Sequence, residues 1–80
     1  MDRYAVFRLG TRFYRLDSLH ADERRAVEVY NGLVTRTEAI LARVGGPGST
    51  AFTVLAAGGL DPAVVARDPF FIEAVRRAVG

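Results

Sequence analysis

Residues 28–38 read EVYNGLVTRTE, and whether the chain turns at Asn31-Gly32 decides the fold class. Asn-Gly between β-branched residues is a hairpin signal, with AVEVY and LVTRT as its two strands. A second reading ends a helix at Asn31 with Gly32 as the C′ residue. It restarts the helix at Thr35, where Thr-Arg-Thr-Glu fits a capping box. The third is a helix that runs through Gly32 at a cost of about 1 kcal/mol relative to alanine. Val27, Tyr30, Val34, Thr37, Leu41 and Val44 are spaced alternately three and four apart, with Ala26, Leu33 and Ile40 beside them. This stripe keeps its phase across Gly32, which a break or a reversal has no reason to preserve. Its burial, at roughly 25 cal/mol per Å², outweighs the glycine several-fold. The spacing favours one long helix, continuous or kinked at Gly32, from about Leu19 to Val44. Asp17 or Ser18 would cap it, and Asp22-Glu23 would lie in its early turns. Gly32 also leaves room for another backbone to approach, a second subunit's included.

Upstream, YAVFRLGTRFYRL (4–16) reads as a β-hairpin around Gly10-Thr11, a glycine-first type II′ turn. In that register Leu9 faces Arg12, Phe7 faces Tyr14 and Ala5 faces Leu16, and these six share the core face. Tyr4, Val6, Arg8, Phe13, Arg15 and Asp17 share the other. Downstream, GGPGS (45–49) ends the helix. In TAFTVLAA (50–57) the residue types favour a strand, although Ser49 could cap a short helix there. Asp61-Pro62 and Asp68-Pro69 each set a capping acid before a proline at the first helical position. They predict a helix over 62–67 and a last one from Pro69 to about Val79, whose buried side is Phe71, Ile72, Val75, Ala78 and Val79. The expected fold is α+β, a single small domain over 1–80: a small antiparallel sheet with an N-terminal β-hairpin, one long helix and C-terminal helices packed on it.

The composition excludes several chemistries. There is no cysteine, so disulfides, thiolate nucleophiles and thiolate metal sites are ruled out. All eleven basic residues are arginine, which rules out Schiff-base chemistry and a P-loop lysine. A net charge of +2 does not by itself point to nucleic acid. The uncharged stretch Val44–Leu60 is broken by glycines and Pro47 and is too short to span a bilayer. With no apolar leader after Met1-Asp2-Arg3, a cytoplasmic protein is expected. Small domains lacking disulfides or metals often gain burial from a partner chain.

The order of elements adds a resemblance. YAVFRL (4–9), GGP (45–47), TAFTVLAA (50–57) and ARDPFF (66–71) together resemble the YciI-like proteins of the dimeric α/β-barrel superfamily, which have a ferredoxin-like fold. The first half is also similar, through YAVFRL and ADERRA (21–26), to the opening of chlorite-dismutase-like proteins of that superfamily. The resemblance implies a homodimer and gives Asp68 the place of the family's Asp-Pro-Phe aspartate. It departs where the family carries a helix histidine, here Tyr30 or Asn31, and where a final strand is replaced by FIEAVRRAVG (71–80). It thus implies a retained fold whose catalytic pair is lost.

Candidate sites each have a plainer reading. His20, the only histidine, has Asp17, Asp22 and Glu23 nearby for a metal or a base role, but reads more simply as an exposed residue at a helix start. With one histidine and no cysteine no nucleophilic triad is available. Asp68 as acid or base competes with its role as a helix cap. Tyr4, Arg8, Phe13 and Arg15 form an Arg-aromatic face that could stack and neutralise a nucleic-acid strand, or merely pair by cation–π contacts. The loop Gly45–Ser49 could offer N–H groups to a phosphate, without the spacing of a known fingerprint. Val27, Tyr30, Val34 and Leu41, with Phe70 and Phe71, are either core or an intersubunit surface. No cofactor and no metal are expected. The functional expectation is a non-catalytic interaction protein, a homodimer, another homo-oligomer or an accessory subunit of a larger assembly. A YciI-like enzyme or small-molecule binder, with its cavity between sheet and long helix, comes second, and an RNA- or DNA-binding module third.

Overall fold

The computed structural model describes residues 1–80. The chain stays helical through Asn31-Gly32: helix α1 spans Glu23–Val34. It is capped by Asp22, whose Oδ1 accepts the Arg24 N–H at 3.0 Å, and not by Asp17 or Ser18. It also stops well short of Val44. Thr35 Oγ1 donates to the Gly32 carbonyl, and the Arg36 and Thr37 N–H groups both donate to that of Leu33. The expected long helix is therefore corrected to twelve residues, because Ala39–Val44 is strand β3. Five of its six residues are buried, since both of its faces are covered. A strand buried on both sides reads as a continuous apolar run, and its residues fell into the helical stripe by coincidence of phase. Leu41 and Val44, three apart, point to opposite faces of the sheet.

Strands β1 (Arg3–Leu9) and β2 (Tyr14–His20) form the expected hairpin in a different register. Leu9 pairs with Tyr14 and Phe7 with Leu16, so Gly10–Phe13 is a four-residue loop, closed by the Gly10 N–H donating to the Phe13 carbonyl. A type II′ turn needs a positive φ at its first central residue, and Gly10 does not have one. The shift by two residues replaces the expected Phe7–Tyr14 and Ala5–Leu16 pairs; Ala5, Phe7 and Tyr14 still face the core, but Leu16 is exposed and Arg12 lies in the loop. A bulge at Asp17 shifts the register by one more residue, setting Ser18 opposite Val6, and β2 runs on to His20. Strand β4 (Phe52–Ala56) is the expected strand, with a second bulge at Leu55.

The sheet order is β2-β1-β3-β4, antiparallel throughout, with α1 linking β2 to β3 across β1. Helix α1 covers one face, packing Ala26 and Tyr30 on Val6, Ala39 and Leu41. Helices α2 (Pro62–Arg67) and α3 (Pro69–Val79) cover the other, where Val65, Phe71, Val75 and Val79 meet Ala5, Phe7, Ile40, Ala42 and Val44. Asp61 and Asp68 cap these helices as their Asp-Pro pairs predict, accepting from the Ala63 and Phe70 N–H groups at 2.9 Å. Phe71 is the hub: its ring meets Phe7, Tyr14 and Phe52 edge-to-face with centroids 5.0–5.5 Å apart. No buried polar side-chain atom lacks a partner. The chain exposes 4943 Å², against about 4,700 Å² for a folded monomer of this mass. One copy closes its own core. No helix is long and apolar enough to cross a membrane.

Candidate functional site

The loop Gly10–Phe13 carries the β1-β2 hairpin out beyond the sheet and brings its tip beside the start of α3. There Phe13 and Phe70 lean on each other edge-to-face, centroids 6.2 Å apart, with 64 % and 58 % of their surfaces exposed. Beneath them the phenol of Tyr14 donates to Asp68 Oδ2 at 3.0 Å while Asp68 Oδ1 holds the α3 cap. One carboxylate thus fixes both the helix start and the root of the hairpin. Burial, then the hydrogen bond and charge of Asp68, push the Tyr14 phenol up from its ordinary 10 to about 12. It stays protonated at any physiological pH and acts here as a strut.

Two clefts flank the aromatic pair. One, of about 570 Å³, lies between β2 and α3 and is lined by Phe13, Tyr14, Leu16, Ala74 and Ala78, with Arg15 and Arg77 at its rim. The other, of about 440 Å³, opens at the hairpin tip among Arg8, Arg12, Arg15, Thr11 and Thr37, with Phe13 on its wall.

The remaining candidates distribute as follows. Phe71 is fully buried and Leu41 nearly so, which places both in the core and not at an interface. Tyr30 is also buried, and its Oη accepts the Gly58 N–H at 2.7 Å. Val27 and Val34 pack at the edge of the α1 layer. Of the six residues read as core or interface, Phe70 alone is exposed. Tyr4 also packs at the margin of the α1 layer, so the Arg-aromatic face is reduced to Arg8, Arg15 and Phe13. His20 sits on edge strand β2, not at a helix start, with Nε2 2.7 Å from Ser18 Oγ. It does not gather with Asp17, Asp22 or Glu23 into a three-ligand cluster. In the loop Gly45–Ser49 the Gly48 and Ser49 N–H groups donate to Val79 and Gly46 carbonyls, and Arg3 holds the Gly45 carbonyl through Nε and Nη2. That loop spends those donors on its own chain.

Sequence reasoning missed Arg12 and the Tyr14–Asp68 link. Arg12 was assigned to the core face by the two-residue turn, and Asp68 lies 54 residues from Tyr14 with no local signal joining them. No family model, no curated protein and no solved structure matches the chain.

Proposed function

We propose that this chain is a non-catalytic interaction protein that self-associates through the surface formed by Phe13, Phe70 and Leu16. The exposed Phe13–Phe70 pair carries the reading. Two aromatic rings from distant parts of the chain meet at the surface beside an apolar cleft, although the core has closed without them. Such a rigid patch supplies the kind of anchors on which interfaces depend. A second copy is the fitting partner because the surroundings carry both charges. Arg15 and Arg77 line the cleft, while Asp17 projects from the same strand and Glu73 pairs with Arg76 and Arg77 on the same helix. A two-fold axis can set ring against ring and basic rim against acidic rim.

The family likeness would carry the same expectation of a dimer, but not by the same surface. A barrel closed from two sheets needs a bare sheet face, and both faces here carry helices. An enzymatic reading has less support. Asp68 is engaged by the α3 cap and by Tyr14, and it lines neither of the clefts that flank the aromatic pair.

Sedimentation velocity across the micromolar range tests the proposal. Wild type sediments as a dimer or larger species, and Phe13→Ser/Phe70→Ser sediments as a monomer with an unchanged far-UV spectrum. A strictly monomeric wild type sinks it.

A further inference from the structure

We infer that the cleft at the hairpin tip binds the phosphate group of a small phosphate ester that carries an aromatic base, such as a nucleoside monophosphate. Three guanidinium side chains, Arg8, Arg12 and Arg15, line this one concavity, and no carboxylate lines it. Arg8 and Arg15 are direct cross-strand partners, an arrangement of like charges that disfavours folding unless something offsets it. Within the chain only Arg8 has an offset, Asp17 Oδ1 at 3.6 Å. Arg12 and Arg15 have no ion pair; Arg24, Arg36 and Arg67 have none either, but those three line neither cleft.

The arginines are not needed to finish the nearby end of α1. Gly32 and Leu33 carbonyls already accept from Thr35, Arg36 and Thr37. What remains is a donor-rich hollow with Thr11 and Thr37 hydroxyls beside the guanidinium groups, suited to the several acceptor oxygens of a phosphate. Its volume of about 440 Å³ is that of a small-ligand pocket and exceeds what a bare phosphate fills. The Phe13 ring on the wall is an aromatic surface against which a planar base can stack, which points to a phosphate ester that carries an aromatic base over a simple sugar phosphate. Three arginines gather in this one concavity. An extended strand would need a charged track beyond it, and Arg76 and Arg77 are already paired with Glu73.

This inference does not rest on self-association. It can be read in Phe70→Ser, whose altered residue does not line the cleft. Calorimetric titration of the full chain at low salt uses adenosine monophosphate, inorganic phosphate, adenosine and a single-stranded oligonucleotide as probes. The expected order is monophosphate tightest, phosphate weaker and adenosine undetectable, with affinity falling as salt rises. Arg12→Gln and Arg15→Gln each weaken the monophosphate about ten-fold. Arg67→Gln, which removes the same charge at an exposed arginine that lines neither cleft, leaves it unchanged. An equal loss in Arg67→Gln would mean unspecific attraction and overturn the assignment. So would equal binding of adenosine, no binding of the monophosphate at millimolar concentration, or an oligonucleotide affinity that grows with length.

Discussion

Tyr14 and Asp68 join the hairpin to α3 through one hydrogen bond, and the burial of the phenol together with that bond should be readable as a pH effect. The phenol is raised to about 12 in the folded chain, against an ordinary value of 10. Folded protein therefore holds a proton between those values that unfolded protein has released. The phenol's contribution to stability is fully present and independent of pH below 10 and is lost as pH rises from 10 toward 12. Tyr14→Phe should lose about 1 kcal/mol at pH 7 and should lack that part of the alkaline decline. Urea titrations of both proteins at a series of pH values measure the difference. Parallel curves above pH 10 would show that the phenol titrates normally. Tyr30 makes the second such link, accepting the N–H of Gly58, a residue at φ +59°. A Cβ at Gly58 would stand 3.1 Å from Val34 Cγ2. Gly58→Ala should thus cost about 1–3 kcal/mol through left-handed strain and crowding, measured by the same titration. Neither link was legible in the sequence, because partners 54 and 28 residues apart leave no local pattern. Tyr30 was visible only as a member of an apolar stripe, which marks burial and says nothing of a hydroxyl's partner.

At the scale of elements, Gly32 costs the helix without serving it. Nothing lies within 4 Å of where its Cβ would be, and its φ is not positive. Gly32→Ala should stabilise by about 1 kcal/mol, a rise in Tm of about 4–8 °C for a domain of this size, read by thermal denaturation. Unchanged stability would place a helical kink or an outside contact at Gly32. Phase across that glycine was a sound guide, since Tyr30 and Val34 do lie on the sheet side of α1. It failed beyond Val34, where Thr35-Arg36-Thr37 ends the helix with neither glycine nor proline to mark the stop. The Asp-Pro pairs were legible because a cap and a fixed φ act locally, and α2 and α3 begin where those pairs put them. The hairpin was legible as a pair of strands but not in register, which the four-residue loop and the bulge at Asp17 set together. Of the site, Phe13, Phe70, Arg8 and Arg15 could be singled out as residue types. Their grouping at one tip depends on that loop.

For the whole molecule, the decisive fact is that a closed core coexists with an exposed aromatic pair. Each sheet edge carries a bulge, at Asp17 on β2 and at Leu55 on β4. Bulged edges resist strand-to-strand addition, so association by extending the sheet is disfavoured and side-chain docking at Phe13 and Phe70 remains. The two sets of aromatics should then separate cleanly by mutation. Phe71 meets three rings and is fully buried, so Phe71→Ala should cost about 3–5 kcal/mol, comparable with the whole stability of a small domain. It should leave the chain largely unfolded by circular dichroism. Phe70 touches only Phe13 among the rings, and Phe70→Ser should leave the isolated chain folded. Mass action gives the sharper contrast. If copies dock through the exposed pair, wild-type Tm rises with protein concentration, whereas Tm of Phe70→Ser is flat and equals the wild-type value at high dilution. A concentration-independent wild type would remove the docking role of the pair. A Phe70→Ser chain that melts far below dilute wild type would show instead that the exposed ring belongs to the core after all.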